Sequence, residues 1–248
     1  MPFSKLLTTI ATVWMVSAFG CTSRPGRSVV DVPGDRTAPA TQPAGRVVDF
    51  GPGLRIDYRV PQVEVDSEVV LRQGALELFA YSRAQVPKEH ETILRTEVPC
   101  ERIYQALHLI GLVAGRPMRY DMETKTVELP TGDPVEVLVR YDQEGRTREH
   151  SACDWMMNAS TKKPMARTHW LFTGSRREED GQFAANIEGT LVTVVDFPSS
   201  LLSLPASHSE SDSQLWLLAH TDSIPPQGTR VILVLRPAAQ SSRGAHNP

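Results

Sequence analysis

Cysteine is scarce in this sequence, with Cys21, Cys100 and Cys153 the three examples in 248 residues. That number is too small for a disulfide-stapled scaffold, and two cysteines beyond Cys21 cannot supply the four thiolates of an ordinary iron–sulfur cluster. No long basic block is present, which argues against nucleic acid as a partner. The phosphate loop GxxxxGK[ST], the nucleophile elbow GxSxG and the dinucleotide turn GxGxxG are all missing. A zinc-protease helix needs a second histidine four residues after His90, and Leu94 stands there instead. Against these absences, 40% hydrophobic residues is too many for a wholly disordered chain.

The ends differ from the middle. Residues 1–21 read as an export signal. Lys5 provides a thin positive start, and Leu6 to Gly20 is a 15-residue stretch of mostly apolar and small residues. A bilayer-spanning helix needs about 20 apolar residues, so this run falls short of one. It ends in Ala18-Phe19-Gly20-Cys21, which resembles the lipobox of bacterial lipoproteins, with Phe19 a departure from that pattern. Cys21 is therefore the expected lipidation site, and an ordinary secretory signal is the alternative. Residues 22–46 contain 15 Pro, Gly, Ser, Thr or Ala in 25 positions, which predicts a flexible tether. The tail 238–248 is similarly small and polar, and is expected to be disordered. The expected location is the cell envelope, exported and lipid-anchored, facing the periplasm.

Residues 47–237 remain as a single folded domain with no internal repeat. Strand signals dominate it. Val135, Val137, Val139 and Tyr141 alternate with Glu136, Leu138 and Arg140, and the run returns through Arg146–Trp155 after a turn at Asp142–Gly145. Glu68–Arg72 and Ala75–Tyr81 flank Gln73-Gly74 as a second predicted hairpin. Further strands are expected at 169–173, 183–188, 190–197 and 230–236. One helix, about 99–114, is signalled by Pro99 at its start and by Ile103, Ala106, Leu107, Ile110 and Ala114 on one face, with Gly115 and Pro117 as stops. The predicted fold is α+β, a mainly antiparallel sheet with one principal helix.

Two segments carry candidate chemistry. Lys88-Glu89-His90-Glu91 places two carboxylates beside an imidazole, a set able to bind a divalent metal or exchange protons near neutral pH. Consecutive residues do not share one face, however, so His90 and Glu91 are the candidate metal ligands of one reading, and a locally paired charged loop is the plainer reading. Trp170-Leu171-Phe172-Thr173-Gly174-Ser175 is a strand running into hydroxyls and backbone amides that suit a polar ligand; a core strand followed by a turn explains it equally simply. Cys100 and Cys153 are open to two readings, one disulfide or two separate buried thiols.

The order of these segments is specific. Lys88-Glu89-His90-Glu91, the helix with Ala106-Leu107 and Gly111 through Pro117, Trp170 to Ser175, Ala185-Asn186-Ile187-Glu188-Gly189, Pro225-Pro226 and the last β run together resemble the YdjY-domain family of exported bacterial proteins, over about residues 64–237. The resemblance implies that Glu89, His90, Glu91 and Ser175 matter, for folding or for binding, and it brings no catalytic residues; the candidate ligand site is Lys88, Glu89, His90, Glu91, Trp170, Thr173, Ser175 and Asn186. Some members bear a ferredoxin-like label, which this chain's cysteines do not support, so no iron–sulfur cluster and no other cofactor is expected.

Three functions stay in play. The leading one is a non-enzymatic envelope module, tethered by Cys21, that binds a small ligand or an envelope protein. Its rivals are a metal-dependent or hydrolytic enzyme built on the Lys88–Glu91 segment and a structural component of the envelope. Charge narrows the choice. Residues 1–46 carry +3, whereas the core 47–237 carries 20 basic and 27 acidic residues, or −7. An acidic domain is a poor ligand for nucleic acid or anionic lipid.

Overall fold

A computed structural model describes residues 45–84, 87–206, 208 and 215–238. The leader, Cys21, the tether up to residue 44 and the tail beyond Ala238 lie outside the described residues. The chain opens with the hairpin β1 (Val47–Gly51) and β2 (Leu54–Asp57), then β3 (Gln62–Val69), β4 (Leu78–Ser82), β5 (Thr92–Thr96) and helix α1 (Cys100–Leu109). Four short strands follow: β6 (Ala114–Arg116), β7 (Arg119–Asp121), β8 (Thr126–Glu128) and β9 (Thr131–Gly132). The long hairpin is β10 (Pro134–Gln143) with β11 (Arg146–Ser151), succeeded by a 3-10 turn, Ala152–Trp155, and β12 (Met156–Asn158). Then come β13 (Trp170–Phe172), helix α2 (Ala184–Glu188), β14 (Val192–Thr193), β15 (Leu202–Ser203), β16 (Leu217–Ala219) and β17 (Arg230–Pro237).

Eight of these strands close into a barrel in the order β3, β17, β10, β13, β15, β14, β4, β5 and back to β3. The β4–β5 and β14–β15 neighbours are parallel and the others antiparallel. Closure follows from side-chain alternation, because directly paired residues share a face. Val63 and Val137 both pair with Leu235, while Val65 and Val139 both pair with Leu233. Around the other side, Phe172 pairs with Leu202, Leu202 with Val192, Val192 with Ala80, Ala80 with Leu94 and Leu94 with Val69. All of these side chains are buried, and with Trp170 they fill the barrel as a packed core. Burying each Val, Leu or Phe contributes about 1.5–3 kcal/mol, so closure gathers the dominant stabilising term in one place.

The α+β expectation is wrong. Strand exceeds helix by 43% to 10%, the sheet is a closed barrel, and two short helices stand where one principal helix was predicted. Helix α1 stops well before Ala114. Gly111 adopts a positive φ of 93°, and the amide of Leu112 reaches back to the Leu107 carbonyl at 3.2 Å, closing the helix one turn early. Gly115 serves another purpose: a Cβ there would lie 2.2 Å from the Thr131 carbonyl oxygen, so its absence lets β6 and β9 pair. The predicted strand 183–188 is helix α2, ended by Gly189 at φ 75°. Gln73-Gly74 does not join a hairpin, since β5 lies between β3 and β4 and pairs with both. The hairpin at Asp142–Gly145 is present, with Glu144 and Gly145 both at positive φ between the paired Gln143 and Arg146.

Candidate functional site

The segment Lys88–Glu91 is a turn leading into β5. The Lys88 ammonium lies 2.6 Å from the Glu91 carboxylate and 4.0 Å from that of Glu77, and 5.2 Å above the Phe197 ring. Glu89 faces elsewhere. The hydrogen bond from the Tyr81 hydroxyl, seconded by Arg95, holds its carboxyl below the usual carboxylate range, and burial together with that bond drives the Tyr81 hydroxyl upward. His90 is largely exposed, 3.5 Å from Glu91. The four residues therefore split between two local networks, Lys88, His90 and Glu91 in one and Glu89 with Tyr81 and Arg95 in the other. Among the described residues, no group of three or more His, Cys, Asp or Glu is placed to hold a metal ion.

The second predicted segment is an anchor. Trp170 is fully buried, and its indole N–H donates to the Thr193 carbonyl at 2.9 Å. Thr173 donates to the carbonyls of Ser200 and Leu201 at 2.8 and 3.0 Å. Gly174 and Ser175 are both left-handed, and the Ser175 hydroxyl accepts the Ala185 amide in the first turn of α2. The Asn186 side chain accepts the Glu101 amide at the start of α1. Thr173, Ser175 and Asn186 thus bind neighbouring backbone, and Asn186 also borders a recess of about 250 Å³ shared with Glu101, Gln182 and Phe183. Around them lies a buried hydroxyl layer, in which Thr190 donates to Ser199 and Thr193 bonds Ser200. Cys100 and Cys153 are separate free thiols, both buried, and burial pushes the Cys100 thiol up to about 12.

The principal recess lies elsewhere. The ladder between β10 and β17 ends at Arg140 and Ile232, after which β10 continues to Gln143 paired with β11 alone. The strands part there, and a cleft of about 560 Å³ opens between Arg140, Asp142 and Thr147 on one wall and Asp66, Ser67 and Arg230 on the other. A second hollow of about 280 Å³ continues from Asp66, Ser67 and Arg230 towards Gly53 and Arg95. On the hairpin's inner face, a polar recess of about 440 Å³ is lined by Arg72, Tyr141, Arg148, His150 and Asp222.

Arg140 and Asp66 of the cleft belong to an ion-pair network on the outer face of the barrel. Arg140 joins Glu64 at 2.7 Å to Glu149 at 2.9 Å, Arg236 joins Glu149 and Glu136, and Arg55 joins Glu64 and Asp66. Burial opposes ionisation of Glu149, yet the bonds from Arg140 and Arg236 hold its carboxyl below the usual range. Val234 and Leu138, paired on this same outer face, are buried at the level of the network, so the arginine stems also cover apolar surface. By contrast, Arg230 makes no side-chain hydrogen bond or salt bridge among the described residues. The parting of two strands is a non-local event, so nothing in the local sequence of β10 or β17 signals the cleft.

No helix among the described residues is long and apolar enough to cross a membrane. No curated protein and no solved structure matches the chain. The YdjY domain, however, matches residues 54–236, from β2 to the end of the barrel, and on that match the chain belongs to the YdjY family.

Proposed function

We propose that the chain is a non-enzymatic binding module of the cell envelope, tethered through a lipid on Cys21, which takes a protein segment in the cleft where β10 and β17 part. The observation that carries the reading is the end of their shared ladder at Arg140 and Ile232. Beyond it, Tyr141 and Asp142 keep partners only on β11, and Arg230 and Val231 only on β3. Two backbone edges thus face each other across a recess of about 560 Å³ without a ladder between them. An extended polypeptide satisfies such edges by adding a strand, with flanking side chains supplying selectivity. Arg230 on one wall and Asp142 on the other offer both signs of charge to the incoming segment. The ion pairs that hold Arg140 and Asp66, one from each wall, keep those side chains in place before binding, which lowers the ordering cost of association.

The test is photocrosslinking in cells from a benzoylphenylalanine placed at Thr147, on the cleft wall, against the same group at Thr161, on a distant turn. A discrete adduct from position 147 that weakens in Arg230→Glu supports the cleft. Equal adducts from both positions, or none from 147, would contradict it.

A further inference from the structure

Eight large apolar side chains are exposed among the described residues, and six of them, Leu109, Val113, Tyr120, Met122, Val127 and Leu129, fall within 109–129. This stretch contains the ribbon β7–β8, whose strands pair with each other and with no other strand. An isolated two-stranded ribbon is marginal in water, and its outer edges present unpaired amides and carbonyls. Both facts call for an occupant, and the sequence of β7 indicates which.

We infer that the chain self-associates through the outer edge of β7, which pairs antiparallel with β7 of a second copy about a two-fold axis at Tyr120. The strand and its flanks read Met118-Arg119-Tyr120-Asp121-Met122. In that register Arg119 of each copy stands opposite Asp121 of the other, Tyr120 meets Tyr120, and Met118 meets Met122. Opposite-charge and aromatic cross-strand pairs stabilise a sheet, whereas like charges in those positions oppose it. The outer edge of β8 offers no such match, because the equivalent register about Val127 sets Thr126 against Glu128. Both charged groups of β7 are suited to the contact. One oxygen of Asp121 accepts the Glu123 and Thr124 amides at 2.8 and 3.0 Å, which fixes the carboxylate at the strand's end. Arg119 is exposed and makes no side-chain hydrogen bond or salt bridge among the described residues.

Net charge favours the same place. The ribbon's Arg119 and Lys125, with Arg116 at the end of β6 3.6 Å from Glu128, balance Asp121, Glu123 and Glu128, so residues 116–128 are neutral on a domain that carries −7. Two acidic domains therefore meet here with least mutual repulsion. A two-fold contact also uses up the edge on both copies, so association stops at a dimer and does not propagate.

The test is sedimentation of the full-length chain carrying Cys21→Ser, so that lipid does not drive association. The expected result is a dimer. Arg119→Asp and Asp121→Arg should each weaken it by at least about tenfold. A mixture of the two single variants should form a heterodimer, and the double variant Arg119→Asp/Asp121→Arg should dimerise again, which misfolding of a single variant would not permit. A parent chain that stays monomeric overturns the inference. A dimer that survives both single substitutions, or single variants that fail to restore each other, overturns it equally by placing the contact on another face.

Discussion

A methyl group at Gly132 would lie 2.0 Å from the Phe172 carbonyl oxygen, at a backbone φ of 141°. At Gly145 it would meet nothing within 4 Å, at φ 73°. The two positions separate backbone strain from steric exclusion. Gly145→Ala is expected to cost about 1 kcal/mol, the left-handed penalty of an L-residue. Gly132→Ala should cost more than about 3 kcal/mol, because the β9–β13 crossing must also move. Urea unfolding with an unchanged slope measures both, and equal costs would refute the close approach. Glu149 gives a pH prediction. Its folded pKa lies below the ordinary 4.5, so its contribution is present above that value and is lost as pH falls through the folded pKa. The stability gap between the wild type and Glu149→Gln should therefore narrow from pH 6 to pH 3, and a constant gap would show that the Arg140–Glu149–Arg236 contacts are idle. At this scale the sequence was partly legible. It singled out Trp170, Thr173, Ser175 and Asn186, and all four hold definite partners, but their spacing could not tell a side chain that fastens backbone from one that meets a ligand. Lys88 shows the same limit, since its second carboxylate, Glu77, comes from the residue before β4, on the other side of that strand in the chain.

Among the elements, those whose signals are local were readable. In the β10–β11 hairpin Val135, Val137, Val139 and Tyr141 recur at every second position before a turn of two left-handed residues, and β17 has a continuous apolar run paired on both edges. Helix α1 was placed correctly at its start and too long at its end, because Gly111 and Gly115 look alike in sequence while one ends a helix and the other admits a crossing strand. Strands β9, β14 and β15 are two residues long; β14 is the paired part of the strand expected at 190–197, while β9 and β15 are too short to display any period, yet β14 and β15 complete the barrel. Strand β14 takes its other neighbour, β4, from far along the chain, Val192 against Ala80, so the α+β expectation failed where local pattern carries no information. The segment 183–188 misled for a related reason: its helix depends on the Ser175 hydroxyl capping the Ala185 amide from ten residues away. Ser175→Ala should accordingly destabilise the fold by about 1 kcal/mol, with hydrogen exchange accelerated first at the α2 amides; uniform acceleration would contradict a local capping role.

On the scale of the whole molecule, three parts stand together: an anchor and tether proposed from residues 1–46, a packed eight-stranded barrel, and a hairpin that leaves the barrel wall to open a cleft. The anchor stands by itself. Cys21→Ser should abolish lipid labelling and release the protein from the membrane fraction, and retained labelling would refute it. The tether of 25 residues spans at most about 85 Å, enough for a domain to meet partners anchored nearby. The burial of Cys100 and Cys153 makes the central claim directly measurable, because an introduced thiol would be the reactive one on the barrel surface. Maleimide labelling of Thr147→Cys, on the cleft wall, can be compared with Thr161→Cys, each in intact cells and in the purified protein. If the cleft holds a partner, position 147 labels several-fold more slowly in cells than in isolation while position 161 labels alike in both; equal behaviour of the two positions would contradict the binding cleft.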